Sequence, residues 1–122
     1  MIYNGGYKVK FYCSSYNQEP VKDYLLALSL KERQKINKFL DYLQQCDAYL
    51  NEPYSRHIIG KIRELRIDLA RRRHRIFYFT FINKTIILLH AFLKRTKKTP
   101  WSEINKALSN YLEVLNHPEL YE

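Results

Sequence analysis

Ile62-Arg63-Glu64-Leu65-Arg66-Ile67-Asp68-Leu69 sets Leu65, Ile67 and Leu69 in alternation with Glu64, Arg66 and Asp68. A period of two is the pattern of a strand with one face buried and the other charged. Arg73 to Ile82 follows, dense in aromatic and β-branched residues, and Ile86 to Leu93 is strongly apolar. Between them, Ile82-Asn83-Lys84-Thr85 reads as a hairpin turn, so the three segments form a meander. A two-residue turn at Asn83 and Lys84 pairs Ile82 with Thr85, Phe77 with His90, Arg75 with Phe92 and Arg73 with Lys94. A loop spanning Leu69 to Arg72 sets Asp68 opposite Arg73, Arg66 opposite Arg75 and Glu64 opposite Phe77. Both registers put Glu64, Arg66, Asp68, Arg73, Arg75, Phe92 and Lys94 on one sheet face, with Arg66 and Arg75 expected on its wet side.

On the N-terminal side, Tyr7 to Cys13 reads as a first strand, with Val9 and Phe11 on one side and Lys8 and Lys10 on the other. After Asn17, Val21, Tyr24, Leu25 and Leu28 recur at helical spacing, with Pro20 in the first turn and Glu19 near the N-terminal dipole. Ser29 caps a second helix in a capping-box arrangement with Glu32, and Ile36, Phe39, Leu40 and Leu43 continue the apolar stripe. The two helices are expected to form a hairpin. Beyond the sheet, Thr99 reads as the cap of a terminal helix, with Pro100 at its first position and Glu103 in its first turn. Its apolar face is expected to be Ile104, Ala107, Leu108, Tyr111, Leu112 and Leu115, and Trp101 to join the core.

A chain of 122 residues has room for one domain, taken as residues 1–122. No window approaches the roughly 20 apolar residues of a membrane span. Met1 to Gly6 lacks a signal-peptide pattern, which points to the cytoplasm. Cys13 and Cys46 read as reduced, buried thiols, and the four histidines lack metal-ligand spacing, so no metal or other cofactor is expected. The net charge of +9 is local: 13 of the 21 Lys and Arg lie from Arg56 to Lys98, against Glu64 and Asp68 alone. A basic segment of this kind favours a polyanion, nucleic acid above all.

Directly opposed like charges destabilise a sheet by some tenths of a kcal/mol to about 1 kcal/mol. Carrying them suggests an anionic partner. RNA cleavage by the 2′-hydroxyl needs a base, an acid for the leaving 5′-oxygen, and cations for the phosphorane. Glu64 is the available base, Arg66, Arg75 and Lys94 supply positive charge, and a lysine whose pKa is lowered by its neighbours can serve as the acid. Phe92 is a candidate for base stacking. Equally open on spacing alone is a solvated sheet face on which Glu64 and Asp68 balance arginines. His90 reads equally as a satisfied, half-buried histidine.

Three ordered motifs bear on that choice. Lys61-Ile62-Arg63-Glu64-Leu65-Arg66-Ile67-Asp68, His74-Arg75-Ile76-Phe77-Tyr78-Phe79 and Leu88-Leu89-His90-Ala91-Phe92-Leu93-Lys94-Arg95-Thr96-Lys97-Lys98-Thr99-Pro100 resemble the HigB-like, phage Gp49-related branch of the RelE/ParE toxins. The resemblance implies an α+β, RelE-like fold: a twisted antiparallel sheet against an N-terminal helical hairpin, with a C-terminal helix. It implies a type II toxin, a ribosome-associated mRNA endonuclease that inhibits translation. The expected partners are a cognate antitoxin, often a helix-turn-helix protein, in a toxin–antitoxin hetero-oligomer, and mRNA on the ribosome, with no membrane. Carried over by position, Glu64, Arg66, Arg75 and Lys94 are the catalytic candidates. Lys61, Arg63, Arg71, Arg72, Arg73, Phe92, Arg95, Lys97 and Lys98 are the RNA-binding candidates. Arg63 stands where the family has an aromatic, and Tyr111, His117 and Tyr121 match no C-terminal motif. A non-catalytic gyrase inhibitor on the same fold and a plain RNA-binding module are the competing readings.

Overall fold

The computed structural model describes residues 6–122, so the reading of the first five residues lies outside it. Strand β1 (Lys8–Phe11) is followed by helices α1 (Pro20–Leu26) and α2 (Leu30–Gln45). Strands β2 (Ser55–Ile59), β3 (Ile62–Leu69), β4 (Arg72–Phe81) and β5 (Thr85–Leu93) come next. Helix α3 (Trp101–Asn116) and a 3₁₀ turn (Pro118–Tyr121) close the chain. The result is a mixed α+β fold with one five-stranded sheet in the order β1-β5-β4-β3-β2.

The sheet is not wholly antiparallel, because β1 runs parallel to its neighbour β5. Nor is the meander three-stranded: β2 adds a fourth antiparallel strand, with Ile59 paired to Ile62 across a Gly60-Lys61 turn. Gly60 has φ +54, a left-handed conformation that glycine adopts without strain.

Both faces of the sheet are covered. Val21 and Leu25 of α1 and Ile36, Leu40 and Leu43 of α2 pack with Leu65, Ile67, Ile76, Tyr78, Ile86 and Leu88 on one face. Ile104, Ala107 and Val114 of α3 pack with Ile62, Phe77, Phe79, Ile87, Leu89 and Phe92 on the other. Ser29 caps α2 as expected, its hydroxyl accepting from the Glu32 amide at 3.2 Å.

Three expectations are corrected. Pro100, not Thr99, is the N-cap of α3. The buried stripe of that helix is rotated by about one residue, so that Val114 is buried while Leu112, Leu115 and Trp101 are exposed. Cys13 and Cys46 are free thiols, but Cys46 is exposed rather than buried.

The β3–β4 register is the expected one, with Glu64 opposite Phe77, Arg66 opposite Arg75 and Asp68 opposite Arg73. Between β4 and β5, Arg75 faces Phe92 and Phe77 faces His90 as expected, by a different route. Phe81, not Ile82, pairs with Thr85, so the turn holds three residues, and a bulge between the Tyr78–Leu88 and Phe77–His90 pairs restores the register. The bulge reverses the side-chain parity beyond Leu88, which puts His90 and Phe92 on the α3 face.

Candidate active site

Strand alternation decides which charges share a face. Glu64, Arg66 and Asp68 leave β3 on the side opposite Leu65 and Ile67, and Arg73 and Arg75 leave β4 on that same side. The Lys94 amide donates to the Arg73 carbonyl at 2.8 Å, which continues the β5 ladder one step past Leu93. On β2, Arg56 sits opposite Glu64 and joins the group.

Three of these groups are buried, while Asp68 and Arg56 are exposed and Arg66 and Arg73 are partly so. Glu64 and Arg75 are each 1 % exposed and Lys94 is 8 % exposed. Arg75 is thereby a correction to the expectation of a solvated guanidinium. Its Nη1 donates to Asp68 Oδ1 at 2.7 Å and to the His74 carbonyl at 2.9 Å. The Glu64 carboxylate accepts from the Thr99 hydroxyl at 3.1 Å and lies 3.8 Å from Arg66 Nε.

Two features mark this cluster as something other than a set of balanced ion pairs. The Nε groups of Arg66 and Arg75, like that of Arg33 on α2, are buried and have no hydrogen-bond partner, and here the two residues lie opposite one another. Buried donors are almost always paired, and leaving one unmet costs about 1–3 kcal/mol. The second feature is Lys94, whose pKa is lowered by burial, with Glu64 opposing that shift and Arg75, Arg66 and Arg56 adding to it. The face thus presents a carboxylate, a lysine whose pKa is lowered by burial, and two guanidinium groups whose Nε atoms make no hydrogen bond within the protein.

The model of the phage-derived Gp49-like protein family (DUF891) matches residues 23–112. The chain belongs to the Gp49-like family. That family falls within the RelE/ParE-like toxin superfamily of toxin–antitoxin systems. The match runs from within α1 to Leu112 in α3 and includes every strand of the charged face. No curated protein matches the chain closely enough to count as a relative. The family makes the chain a member of a toxin group and implies an antitoxin partner.

Within this Gp49-like chain, the expected RNA-contacting residues are divided by the sheet. Arg63 lies on the α1–α2 face, where it donates to Ser55 Oγ at 3.2 Å and to the Leu50 carbonyl at 3.3 Å, and covers the Tyr49 ring. Arg72 is also on that face, held by Glu32 at 2.5 Å. Glu32 additionally contacts Nε2 of the buried His74 at 2.7 Å, and His74 Nδ1 meets the Tyr24 hydroxyl at 2.7 Å. Hydrogen bonding from Arg72 and His74 holds the Glu32 carboxyl down at about 2, against the opposing effect of burial. Burial pushes the Tyr24 hydroxyl up to about 12. Arg63 and Arg72 are therefore engaged by contacts on the helix-covered face, away from Glu64 and Lys94.

Phe92 is 7 % exposed, packed against Phe77 at 5.4 Å and stacked with His90 at 5.8 Å, which leaves its ring little surface for a base. Lys61 and Arg71 are exposed at the β2–β3 and β3–β4 turns, and Arg95 is exposed after β5. Lys97 and Lys98 line a recess of about 360 Å³ beside the cluster, together with Arg56, Lys94, Thr99 and Trp101. A larger recess of about 640 Å³ runs along α2, and three of its lining residues, Lys35, Phe39 and Tyr54, also line a recess of about 210 Å³ that includes Arg66 and Asp68.

Arg56 and Thr99 were not foreseen. Arg56 lies in a strand too short and too weakly alternating to be read, and Thr99 was assigned to the helix cap. His90 makes a 2.6 Å contact with Glu103 and braces Phe92, and its pKa is lowered by burial against the pull of Glu103. Tyr121 is buried, and its hydroxyl donates to the Cys13 carbonyl while accepting from the Cys13 amide. Tyr111 packs on Phe79. Among the described residues, no group of three or more His, Cys, Asp or Glu is placed to hold a metal ion.

Proposed function

We propose that the chain is the toxin of a type II toxin–antitoxin system that cuts mRNA on the ribosome by attack of the RNA's own 2′-hydroxyl. The observation that carries this reading is the clustering of a buried carboxylate and a buried lysine of lowered pKa beside two guanidinium groups whose Nε atoms make no hydrogen bond. Glu64, oriented by the Thr99 hydroxyl, takes the proton of the 2′-hydroxyl as its oxygen bonds to phosphorus. Arg66 and Arg75 receive the charge that grows on the phosphorane oxygens. Lys94 gives its proton to the departing 5′-oxygen, which leaves a 2′,3′-cyclic phosphate on one fragment and a 5′-hydroxyl on the other. A neutral lysine is then reprotonated from solvent, and Glu64 releases the proton it took.

On this reading the fold is RelE-like, with α1 and α2 as the hairpin against the sheet, and the toxin acts in the cytoplasm. Its antitoxin is a helix-turn-helix protein that binds it in a hetero-oligomer. A non-catalytic inhibitor of gyrase has no use for a base set beside an acid, so the dyad favours the enzyme. The test is a message bearing one 2′-deoxy nucleotide at the cleaved position, presented to purified protein and ribosomes in their required Mg²⁺. The unmodified message should be cut to a cyclic or 3′-phosphate and the deoxy message should resist. Equal cutting of both would exclude 2′-hydroxyl attack, and DNA breaks with intact transcripts in induced cells would favour the gyrase reading.

A further inference from the structure

The recess beside the cluster extends beyond the groups assigned to the chemistry above. Arg56, Lys94, Lys97 and Lys98 line it, with Thr99 and Trp101, and no carboxylate is among its lining residues. Its volume of about 360 Å³ falls within the range of small-ligand clefts, roughly 300–1,000 Å³. Trp101 is the chain's only tryptophan and is 65 % exposed. It opens α3, directly after the Pro100 cap, while the buried stripe of that helix begins at Ile104. An indole on the wall of a cationic recess offers a flat π-face with phosphate-binding groups around it.

Two residues join the recess to the reacting groups. Lys94 lines both, and Thr99 lines the recess while its hydroxyl holds Glu64. A nucleotide seated there is therefore adjacent to the phosphate at which Glu64 and Lys94 act.

We infer that the recess is a subsite for a nucleotide flanking the scissile bond, with its base stacked on Trp101 and its phosphate against Arg56, Lys97 and Lys98. The inference rests on the endonuclease reading and extends it from the reacting atoms to substrate grip. Stacking accepts any base, so Trp101 strengthens binding at this position without selecting its identity. An exposed indole could instead belong to the surface that binds the antitoxin, and the test separates the two.

The experiment measures kcat/KM for cutting of a ribosome-bound message by wild-type protein, Trp101→Ala and Trp101→Phe. Each is also assayed on messages with a single abasic nucleotide on either side of the cut. Trp101→Ala should lower kcat/KM roughly 5- to 150-fold, the range for loss of one stacked base, mainly through KM, and Trp101→Phe should restore most of it. One abasic position should cost the wild type a similar factor and cost Trp101→Ala little more, because both changes remove the same contact. Thermal melting should be unchanged, the side chain being exposed. Unchanged cutting by Trp101→Ala, or abasic losses that multiply with the mutation, would overturn the subsite while leaving the endonuclease reading intact. Loss of antitoxin neutralisation with normal cutting would assign Trp101 to the partner surface instead. A wild type that cuts no RNA would remove both readings together.

Discussion

Replacing Arg75 separates its part in folding from its part in chemistry. In Arg75→Ala two buried methylenes are lost, about 1.6 kcal/mol, and the space of a guanidinium is left partly empty. The bond to the His74 carbonyl adds about 1 kcal/mol, and the bond to Asp68 less, because that carboxylate side chain is 60 % exposed and stays hydrated without its partner. Against these stands the relief of a buried charge whose Nε has no acceptor, about 1–3 kcal/mol, and of the opposed Arg66. These terms leave roughly 0–2 kcal/mol, and a residual cavity of some tens of Å³ adds about 1 kcal/mol, so Arg75→Ala should destabilise by about 1–3 kcal/mol. Arg75→Met refills the volume without the charge and should fold within about 1 kcal/mol of the wild type. Both should lower kcat by roughly 10²- to 10³-fold, the usual loss for one transition-state donor. Urea melts and ribosome-dependent cleavage assays measure the two effects. Arg75→Met that cuts normally would remove the residue from the chemistry, and Arg75→Met as unstable as the alanine variant would make it a structural pillar.

Glu32 has a folded pKa of about 2 against 4.5 for the free group, so its contribution is fully present above pH 4.5 and is lost as pH falls towards 2. Glu32→Gln should be less stable at pH 7 by roughly 2 kcal/mol after allowing for the half-exposed Arg72, and its stability curve should meet that of the wild type in acid. The ammonium of Lys94 should titrate below the ordinary 10.5, and Arg56→Gln should move that titration upwards by removing a lowering charge, as NMR of the adjacent carbon would show. An acid must be protonated to act, so cleavage should decline as pH rises through the same value. Changing Lys97 or Lys98 to Gln should reduce the slope of log K for RNA against log salt by about 0.7–0.9 each, while Arg63→Gln, on the far face, should not.

Charge alternation made the site legible. Glu64, Arg66 and Asp68 against Leu65 and Ile67 fix a face, one hairpin carries that face to Arg75, and the next carries it towards Lys94. The same alternation assigns Arg63 to the side of Leu65, and Arg72 to the side of His74 and Ile76. Their membership in a basic run hid that parity, because charge density has no direction and a pleated strand does. Burial was less accessible, since it depends on residues distant in sequence, such as Thr99 at Glu64. Trp101 was misread because α3 has apolar residues around much of its circumference, and only packing against Phe77 and Phe79 selects the stripe through Val114. The parallel pairing of β1 with β5 is non-local and leaves no mark on either strand.

The parity of the site finally depends on one surplus residue in β5. Without the bulge at Leu89, the odd and even positions beyond Leu88 would exchange faces, and the Lys94 ammonium would point into the layer of Ile67, Ile76 and Leu88. Burying a lone ammonium there costs several kcal/mol, more than the single ladder bond a bulge gives up. Even that bond is partly replaced, since Asn110 Nδ2 donates to the Leu89 carbonyl at 2.9 Å. Asn110 lies on α3, a helix that supplies none of the groups assigned to bond breaking. By meeting the acceptor that the bulge exposes, α3 stabilises the register in which Lys94 shares a face with Glu64, Arg66 and Arg75.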